Sequence, residues 1–382
     1  MAIFGALGAG FATWASRLPD VSDALQLGPS TMLWLIGAIG VGSVGGFVTA
    51  PSLASAFLPR RTAAVGITLF AVGLALAGTG ATHGDLPLTL SGLVAMGAGF
   101  ALGDVSANLI GTSMERLDGS ISMPLLHAGF SGGALLGAAG GVLATTVAAP
   151  VGWHLAVVGG LLLGVAPATL LLRGVATGPA GHGPRALARP PLDRRVIALA
   201  VVAWGAMLAE GAANDWLTYA VVHGHDESPR AGAVLFLLFL VAVTASRLGA
   251  GPAAARWGRV RVNGVAALTG VAGVLAFTLG GHPLAMGLGV IGWGIGAAVG
   301  LPLAVSAAAE RSQSPASRVA VVSSIGYSAF IIGPLVVGLG GSSDIFAGLP
   351  FVAVPLALAL VAGIALRAPA RVTGPAVPAH SR

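Results

Sequence analysis

The sequence predicts an all-α membrane protein with twelve transmembrane helices arranged as two six-helix halves. Its 382 residues are 55% hydrophobic and only 8% charged, whereas soluble domains carry roughly 25% charged residues. Apolar runs of about 20 residues, the length of a bilayer-crossing helix, recur along the chain. Because this composition leaves little polar surface, it excludes a soluble enzyme, a disordered protein and a nucleic-acid binder.

In the first half, each apolar run ends at a charged residue or at a cluster of glycine and proline, as expected at a membrane surface. The first run is short and begins at Met1 without the basic leader of a signal peptide, so we expect the natural chain to begin upstream. The predicted spans of this half are residues 2–16, 32–57, 62–81, 86–111, 121–147 and 153–172.

The second half follows a polar stretch, residues 174–195, that is rich in glycine, proline and arginine and indicates a linker. We therefore predict a six-helix half over residues 1–173, a cytoplasmic linker over 174–195 and a second half with a short tail over 196–382. GFS at 129–131 is echoed by GYS at 326–328, and GAGFATW by EGAANDW, which favours a duplicated design. The predicted spans of this half are residues 196–222, 231–246, 262–280, 284–309, 319–340 and 345–366.

The arginines predict the orientation, because positive charge is retained on the cytoplasmic side of a membrane. With twelve spans and both termini in the cytoplasm, seventeen of the nineteen basic residues lie inside and only Arg17 and Arg230 lie outside. A missed span would mix the two sides from that point on. The separation therefore supports an even number of spans in the cytoplasmic membrane.

Neither a metal nor a cofactor is predicted. The chain contains no cysteine, which removes thiolate ligands and nucleophiles. His223 and His225 precede Asp226, but this spacing is unspecific and a solvated loop is the preferred interpretation. No P-loop is present, so ATP is not expected to drive the protein.

Polar residues inside the spans are the main functional candidates, since a charge at mid-membrane costs at least about 2.5 to 3.5 kcal/mol and survives where it has a partner or a pathway. Glu210 and Asn214 are four residues apart and share one face of the seventh span, while Asp215 is turned away. We expect Glu210 to bind solute or carry a proton, with Asn214 as a hydrogen-bonding group. The alternative is a structural pair between helices.

Asp104 and Asn108 repeat the four-residue spacing in the fourth span, and His127 enters the fifth span at a comparable depth. Neighbouring antiparallel helices can bring Asp104 to His127. Such a pair would relay a proton, or it would form a static clasp that gates the cytoplasmic side. Both interpretations stay open, with Asn108 as a solute hydrogen-bonding group.

The stretch RLGAGPAAARWGRVRV at 247–262, repeated more weakly at 46–61, resembles the loop motif of the major facilitator superfamily. In that family a glycine-rich helix end is followed by basic residues and usually includes an acidic residue, which neither copy has here. The resemblance covers essentially the whole chain and implies two six-helix halves. The expected cytoplasmic loop residues are Arg247, Gly251, Arg256, Gly258, Arg259 and Arg261.

GFATWASRLPD, GDVSANLIG, LLHAGFSGGALLGAAGG and EGAANDW are similar to a bacterial branch that includes rhizopine-transport-like permeases. This resemblance implies a small, sugar-like polar solute. In the superfamily the first, fourth, seventh and tenth spans line the cavity, which makes Trp14, Trp216 and Trp293 candidate cavity aromatics. A position at the membrane interface is the alternative, and we prefer it for Trp14.

We predict a monomeric secondary active transporter that moves a small solute by alternating access and is coupled to protons, with the lipid bilayer as its other partner. A drug exporter is the rival: the glycine-rich run 129–141 suits it, but the fourth span lacks the intramembrane arginine such antiporters often carry. A non-transporting sensor or scaffold has no need of intramembrane carboxylates. An enzyme is not expected, because nucleophiles and metal ligands are not clustered.

Overall fold

The computed structural model describes residues 1–117, 123–171, 193–310, 315–341 and 344–366, which form helices and short connections without a β-strand. The predicted linker lies outside the described residues except for 193–195. The helices before it are α1 (Ala2–Ser16), α2 (Leu18–Ala24), α3 (Pro29–Phe57), α4 (Pro59–Thr82), α5 (Leu86–Leu117), α6 (Met123–Thr146), α7 (Val151–Leu163) and α8 (Val165–Leu170).

After the linker, α9 begins at Arg194, where the Asp193 side chain accepts a hydrogen bond from the Val196 amide and caps the helix. A π-helical turn, Ala220–Gly224, extends α9, and a 3₁₀ turn, Leu349–Val352, joins the last two helices. The helices of this part are α9 (Arg194–Tyr219), α10 (Pro229–Trp257), α11 (Arg259–Leu279), α12 (Pro283–Ala298), α13 (Gly300–Ala309), α14 (Pro315–Gly340), α15 (Ile345–Gly348) and α16 (Ala353–Ala365).

Eleven segments of the described chain are long and apolar enough to cross a membrane, counting α7 with α8 and α12 with α13 as single segments. Helix α1, with 15 residues, is apolar but shorter. The predicted all-α membrane fold is therefore confirmed. The count of twelve spans remains a prediction.

Helices α3 and α10 have the same length and the same termination. They begin at Pro29 and Pro229, and each contains 29 residues. Each ends at a residue with positive φ, 76° at Leu58 and 82° at Gly258, after which the next helix starts at once. The repeat suggested by the sequence echoes is thus accompanied by a similar length and a similar end in these two helices.

The prediction of a loop after the eighth span was wrong. The helix continues beyond residue 246 to Trp257, so Gly258 alone separates α10 from α11. Pro252 lies within α10, and prolines inside membrane helices are tolerated. Of the six residues expected in the loop, Arg247, Gly251 and Arg256 belong to α10, and Arg259 and Arg261 to α11.

Glycines set the close approach of helices in both halves. A Cβ atom placed on Gly73 of α4 would collide with the backbone of Met96 and Gly92 in α5. A Cβ on Gly273 of α11 would meet the backbone of Gly289 and Trp293 in α12 in the same way. Membrane helices lack a hydrophobic driving force between them, so such contacts, made possible by small residues, contribute much of the packing.

Two polar contacts join α1 and α2 to α9 and its π turn. The Thr218 hydroxyl donates to the Ala15 carbonyl at 2.8 Å, and both residues are buried. The His223 ring lies 3.2 Å from the Asp23 carboxylate. We call the surface between the halves that contains these contacts the seam, and this end of the bundle the Asp23 end; the opposite end, where α10 meets α11, is the Arg259 end.

Arg17 fixes the corner between α1, α2 and α7 at the Asp23 end. Its side chain is only 2% exposed. Its guanidinium donates to both carboxylate oxygens of Asp20, at 2.9 and 3.2 Å, and to the Ala149 carbonyl at 2.8 Å. A buried guanidinium is stable only when it is paired and hydrogen-bonded in this way.

The matched helix ends give a stability prediction. Leu58 has the backbone conformation of Gly258 but carries a Cβ, and positive φ of this kind costs of order 1 to 3 kcal/mol in a non-glycine residue. Leu58→Gly is expected to stabilise the protein by about 1 kcal/mol after the greater entropy of unfolded glycine is deducted, while Gly258→Leu destabilises it. Thermal unfolding in detergent measures the stability of both variants. If both variants raise or both lower the unfolding temperature, the strain at Leu58 is not the cause.

Candidate functional site

Five helices bring polar side chains to the middle of the bundle. Glu210 lies about 24 Å along α9 from Arg194, and Arg247 about 27 Å along α10 from Pro229, at 1.5 Å per residue. Because α9 and α10 are antiparallel, these two residues meet at mid-depth. The other contributors are Asp104 and Asn108 of α5, His127 of α6 and Tyr327 of α14.

Glu210 and Arg247 form an ion pair with 2.5 Å between Oε2 and Nη2. The Glu210 side chain is 15% exposed and that of Arg247 34%, so the pair opens partly to solvent. An unpaired charge in the membrane interior is energetically unfavourable, so each of the two residues depends on the other as its counter-ion. The pair joins α9 to α10.

A break between α12 and α13 supplies a second acceptor for Arg247. Its Nε donates to the Ala298 carbonyl at 3.4 Å. In a continuous helix this carbonyl would accept from the amide of residue 302, but Pro302 has no N–H. The proline thus leaves an oxygen that the guanidinium satisfies.

Tyr327 and His127 surround the pair from other helices. The charges of Asp104, Glu210 and Arg247 all act on the Tyr327 hydroxyl, and the ring is 55% exposed. The charge of Arg247 also acts on the exposed His127 ring, which packs 4.7 Å from the Phe4 ring. Groups from both halves therefore converge on Arg247.

The expected pair of Asp104 and His127 does not form in this conformation. Asn108 Nδ2 donates to the backbone carbonyl of Asp104 at 2.9 Å and to its carboxylate at 3.3 Å. Within the described ranges no hydrogen bond or ion pair links Asp104 to His127. A partner one turn away on the same helix satisfies the carboxylate instead.

Asn214 and Asp215 differ from Glu210 in having no partner. Neither side chain forms a hydrogen bond or an ion pair with any residue that the structure describes. Asn214 shares the face of Glu210, as expected, while Asp215 lies on the face that carries Thr218. Both side chains are partly buried.

The three candidate tryptophans pack inside the bundle. Trp14 is 3% exposed, and Trp216 and Trp293 are fully buried. The Trp293 indole donates to the Ala209 carbonyl at 2.8 Å and so fixes α12 against α9 beside Glu210. Their contact with a solute remains a prediction, as does the depth of Trp14 in the membrane.

Arg247 is the site residue that sequence reasoning placed wrongly, in a loop, and Tyr327 was not singled out. The signal for Arg247 was present: the apolar run continues past it through GAGPAAA to Trp257. For Tyr327 the signal is weaker, since it lies only in the GYS echo of the eleventh predicted span.

Comparisons with known proteins agree with the fold. No protein-family model matches the chain. The chain is 32% identical over 339 residues to the uncharacterized transporter y4wD of Sinorhizobium fredii, covering 86% of each protein. It is 26% identical over 345 residues to an uncharacterized MFS-type transporter of Yersinia pestis, covering 87% of this chain and 85% of the relative.

Solved structures share the architecture at low identity. The nucleoside transporter NupG superimposes with a TM-score of 0.71 at 15% identity, over 96% of this chain and 97% of that one. A bacterial homologue of the human lysosomal transporter Spinster, inward-facing and occupied, gives 0.70 at 13% identity, over 95% and 93%. The Escherichia coli fucose:proton symporter FucP, as a variant, gives 0.57 at 16%, over 96% and 98%.

A helical bundle with a charged cluster at mid-depth, similar throughout to transporters, defines a multi-pass membrane transporter rather than an enzyme. The chain belongs to the major facilitator superfamily. The superfamily predicted from the loop motif is confirmed, while the rhizopine-transport-like branch remains a prediction.

The ion pair gives a second stability prediction. Glu210→Gln or Arg247→Gln alone is expected to destabilise the protein by roughly 1 to 3 kcal/mol, because each leaves a partly buried charge unpaired. The double variant should recover much of this loss, as measured by thermal unfolding in detergent.

The matched control is Glu310→Gln. Its carboxylate pairs with Arg259 at 2.6 and 2.7 Å, but the two side chains are 49% and 35% exposed. Such a pair contributes at most about 1 kcal/mol. If the Glu210 and Glu310 variants lose equal stability, the Glu210 pair contributes no more than an exposed ion pair.

Proposed function

We propose that the protein is a secondary active transporter that moves a small polar solute by alternating access and is coupled to protons. The observation that supports this most is the mid-depth cluster around Glu210 and Arg247, which receives groups from both halves. Two structural neighbours are named as a nucleoside transporter and a fucose:proton symporter, and both solutes are small and polar. The sugar-like class is consistent with them.

Each polar group has a role in this proposal. Glu210 and Arg247 present a dipole to the solute, and Asn108 and Asn214 offer amide hydrogen bonds. The exposed Tyr327 ring, stacked 6.3 Å from Phe330, gives a flat surface for an apolar ring face.

Access comes from the Arg259 end in the present conformation. The seam closes the Asp23 end by the contacts of Thr218 with Ala15 and of His223 with Asp23. The Arg259 end is cytoplasmic by the arginine count, so the conformation is inward-facing. Asp104 and His127 of this cluster gate that opening. The protein works as a monomer in the bacterial inner membrane with both termini in the cytoplasm.

An exporter of lipophilic compounds is the second candidate. It is favoured by the aromatic cluster of the first half, in which the Phe100 ring lies 6.0 to 6.2 Å from those of Phe11, Phe70 and Phe130. Aromatic faces bind organic cations well. Both candidates can be tested in one assay.

Purified protein in liposomes that contain a pH-sensitive dye is challenged with sugars, polyols, amino acids and lipophilic cations. We expect a polar solute to move protons, and Glu210→Gln to abolish the signal because Arg247 loses its counter-ion. Glu310→Gln is the control and should transport normally. A signal with lipophilic cations alone would support the exporter, and silence with every compound would oppose transport of these solute classes.

Orientation is tested by single cysteines in this cysteine-free chain. Ser30 and Ser55 are exposed residues at opposite ends of α3, so Ser30→Cys and Ser55→Cys form a matched pair. A membrane-impermeant maleimide should label the first in intact cells and the second only after permeabilisation. The reverse pattern would place the Asp23 end in the cytoplasm.

A further inference from the structure

Asp215 lies directly inward of the seam. Thr218, which donates its hydroxyl to the Ala15 carbonyl, follows Asp215 by three residues and therefore lies on the same face of α9. One helical turn separates the carboxylate from the buried contact that holds the halves together. The Asp215 side chain is partly buried in this conformation.

The two carboxylates of α9 differ in their freedom to change charge. Glu210 is held by the Arg247 guanidinium at 2.5 Å, and its protonation would leave that cation unpaired. Asp215 has no hydrogen-bond or ion-pair partner among the described residues. An ionised carboxylate without a partner is unfavourable in a membrane protein interior, so a proton is the simplest counter-charge.

We propose that Asp215, rather than Glu210, is the proton-coupling carboxylate, and that its charge controls whether the seam is open or closed. This inference rests on the proposed function and names the group that couples protons to it. With the seam closed, Asp215 is neutral and faces the cavity. When the seam opens, water reaches the carboxylate from the Asp23 end and it releases its proton there.

The sign of the pH effect follows from hydration. The closed seam favours the protonated acid, and the open seam favours the ionised one. Alkaline pH therefore shifts the population toward the open seam. Asp215→Asn, which mimics the neutral acid, should remain closed at every pH.

Other titratable groups near α9 must be separated from Asp215. The titratable or charged groups on α9 itself, besides Asp215, are Arg194, Arg195, Glu210 and Tyr219, and α12, α13 and α16 carry none. His223 is the strongest competitor, because its imidazole contacts the Asp23 carboxylate across the seam. The remaining titratable or charged groups on elements packed against α9 are Arg17, Asp20, Asp23, Arg230, Arg247, Arg256, Arg318 and Tyr327.

The experiment measures the seam directly and needs no solute. Spin labels on Ser30→Cys and Arg230→Cys, exposed positions at the Asp23 end of the two halves, report the distance between them by pulsed electron resonance in lipid nanodiscs. We expect the population with the longer distance to increase as the pH rises from about 5 to about 9. This pH range includes the usual pKa of histidine and the pKa values of buried carboxyl groups. The Asp215→Asn background should lose this shift and keep the short distance.

Three further backgrounds make the result specific. His223→Gln and the exposed Asp85→Asn should keep the pH shift, and Asp215→Glu should restore it, which excludes misfolding as the cause of a loss. A shift that persists in Asp215→Asn, disappears in His223→Gln or is absent from the parent protein would overturn the proposal.

The proposed function can fail separately. If no solute moves protons in liposomes while the seam still responds to pH through Asp215, transport of the tested solutes is contradicted but the proton site stands. If a solute is transported, Asp215→Asn should retain solute exchange at equal pH and lose accumulation driven by a pH gradient. Accumulation that survives in this variant would contradict the role of Asp215.

Discussion

An arginine in the middle of an apolar helix needs a fixed partner, and much of this structure follows from how Arg247 is satisfied. Glu210 supplies the counter-charge, and the carbonyl of Ala298 supplies a second acceptor because Pro302 cannot use it. The three groups come from α10, α9 and the end of α12. The polar centre of the bundle is thus a product of helix packing, whatever its role toward a solute.

The fold was predictable because its causes lie in composition and in the length of apolar runs, which a bilayer constrains directly. Contacts between helices were less predictable. Arg247 was placed in a loop because charge and proline usually end a span, whereas Pro252 is tolerated inside α10. Asp104 was expected to pair with His127 of the neighbouring helix. Asn108 instead donates a hydrogen bond to the Asp104 carboxylate. Asn108 is one turn away on the same helix, so this bond does not depend on how two helices are aligned.

Helices α3 and α10 have the same backbone geometry, but only α10 carries a charged residue at mid-depth. Phe47 takes the place in α3 that Arg247 takes in α10, since the two helices have equal length and matching ends. Phe47 is exposed and apolar. The ion pair at that depth is therefore formed by the second half alone, and the first half contributes Asp104, His127 and aromatic rings to the same centre.

The break between α12 and α13 has a mechanical consequence. Because one guanidinium bonds to α9 and to the last carbonyl of α12, sliding of α9, α10 and α12 past one another would strip Arg247 of its acceptors. The ion pair and this hydrogen bond therefore oppose sliding among the three helices. If the halves rotate about the seam as proposed, these helices would turn together, and the ends of α10 and α13 that lie far from the seam would move the most.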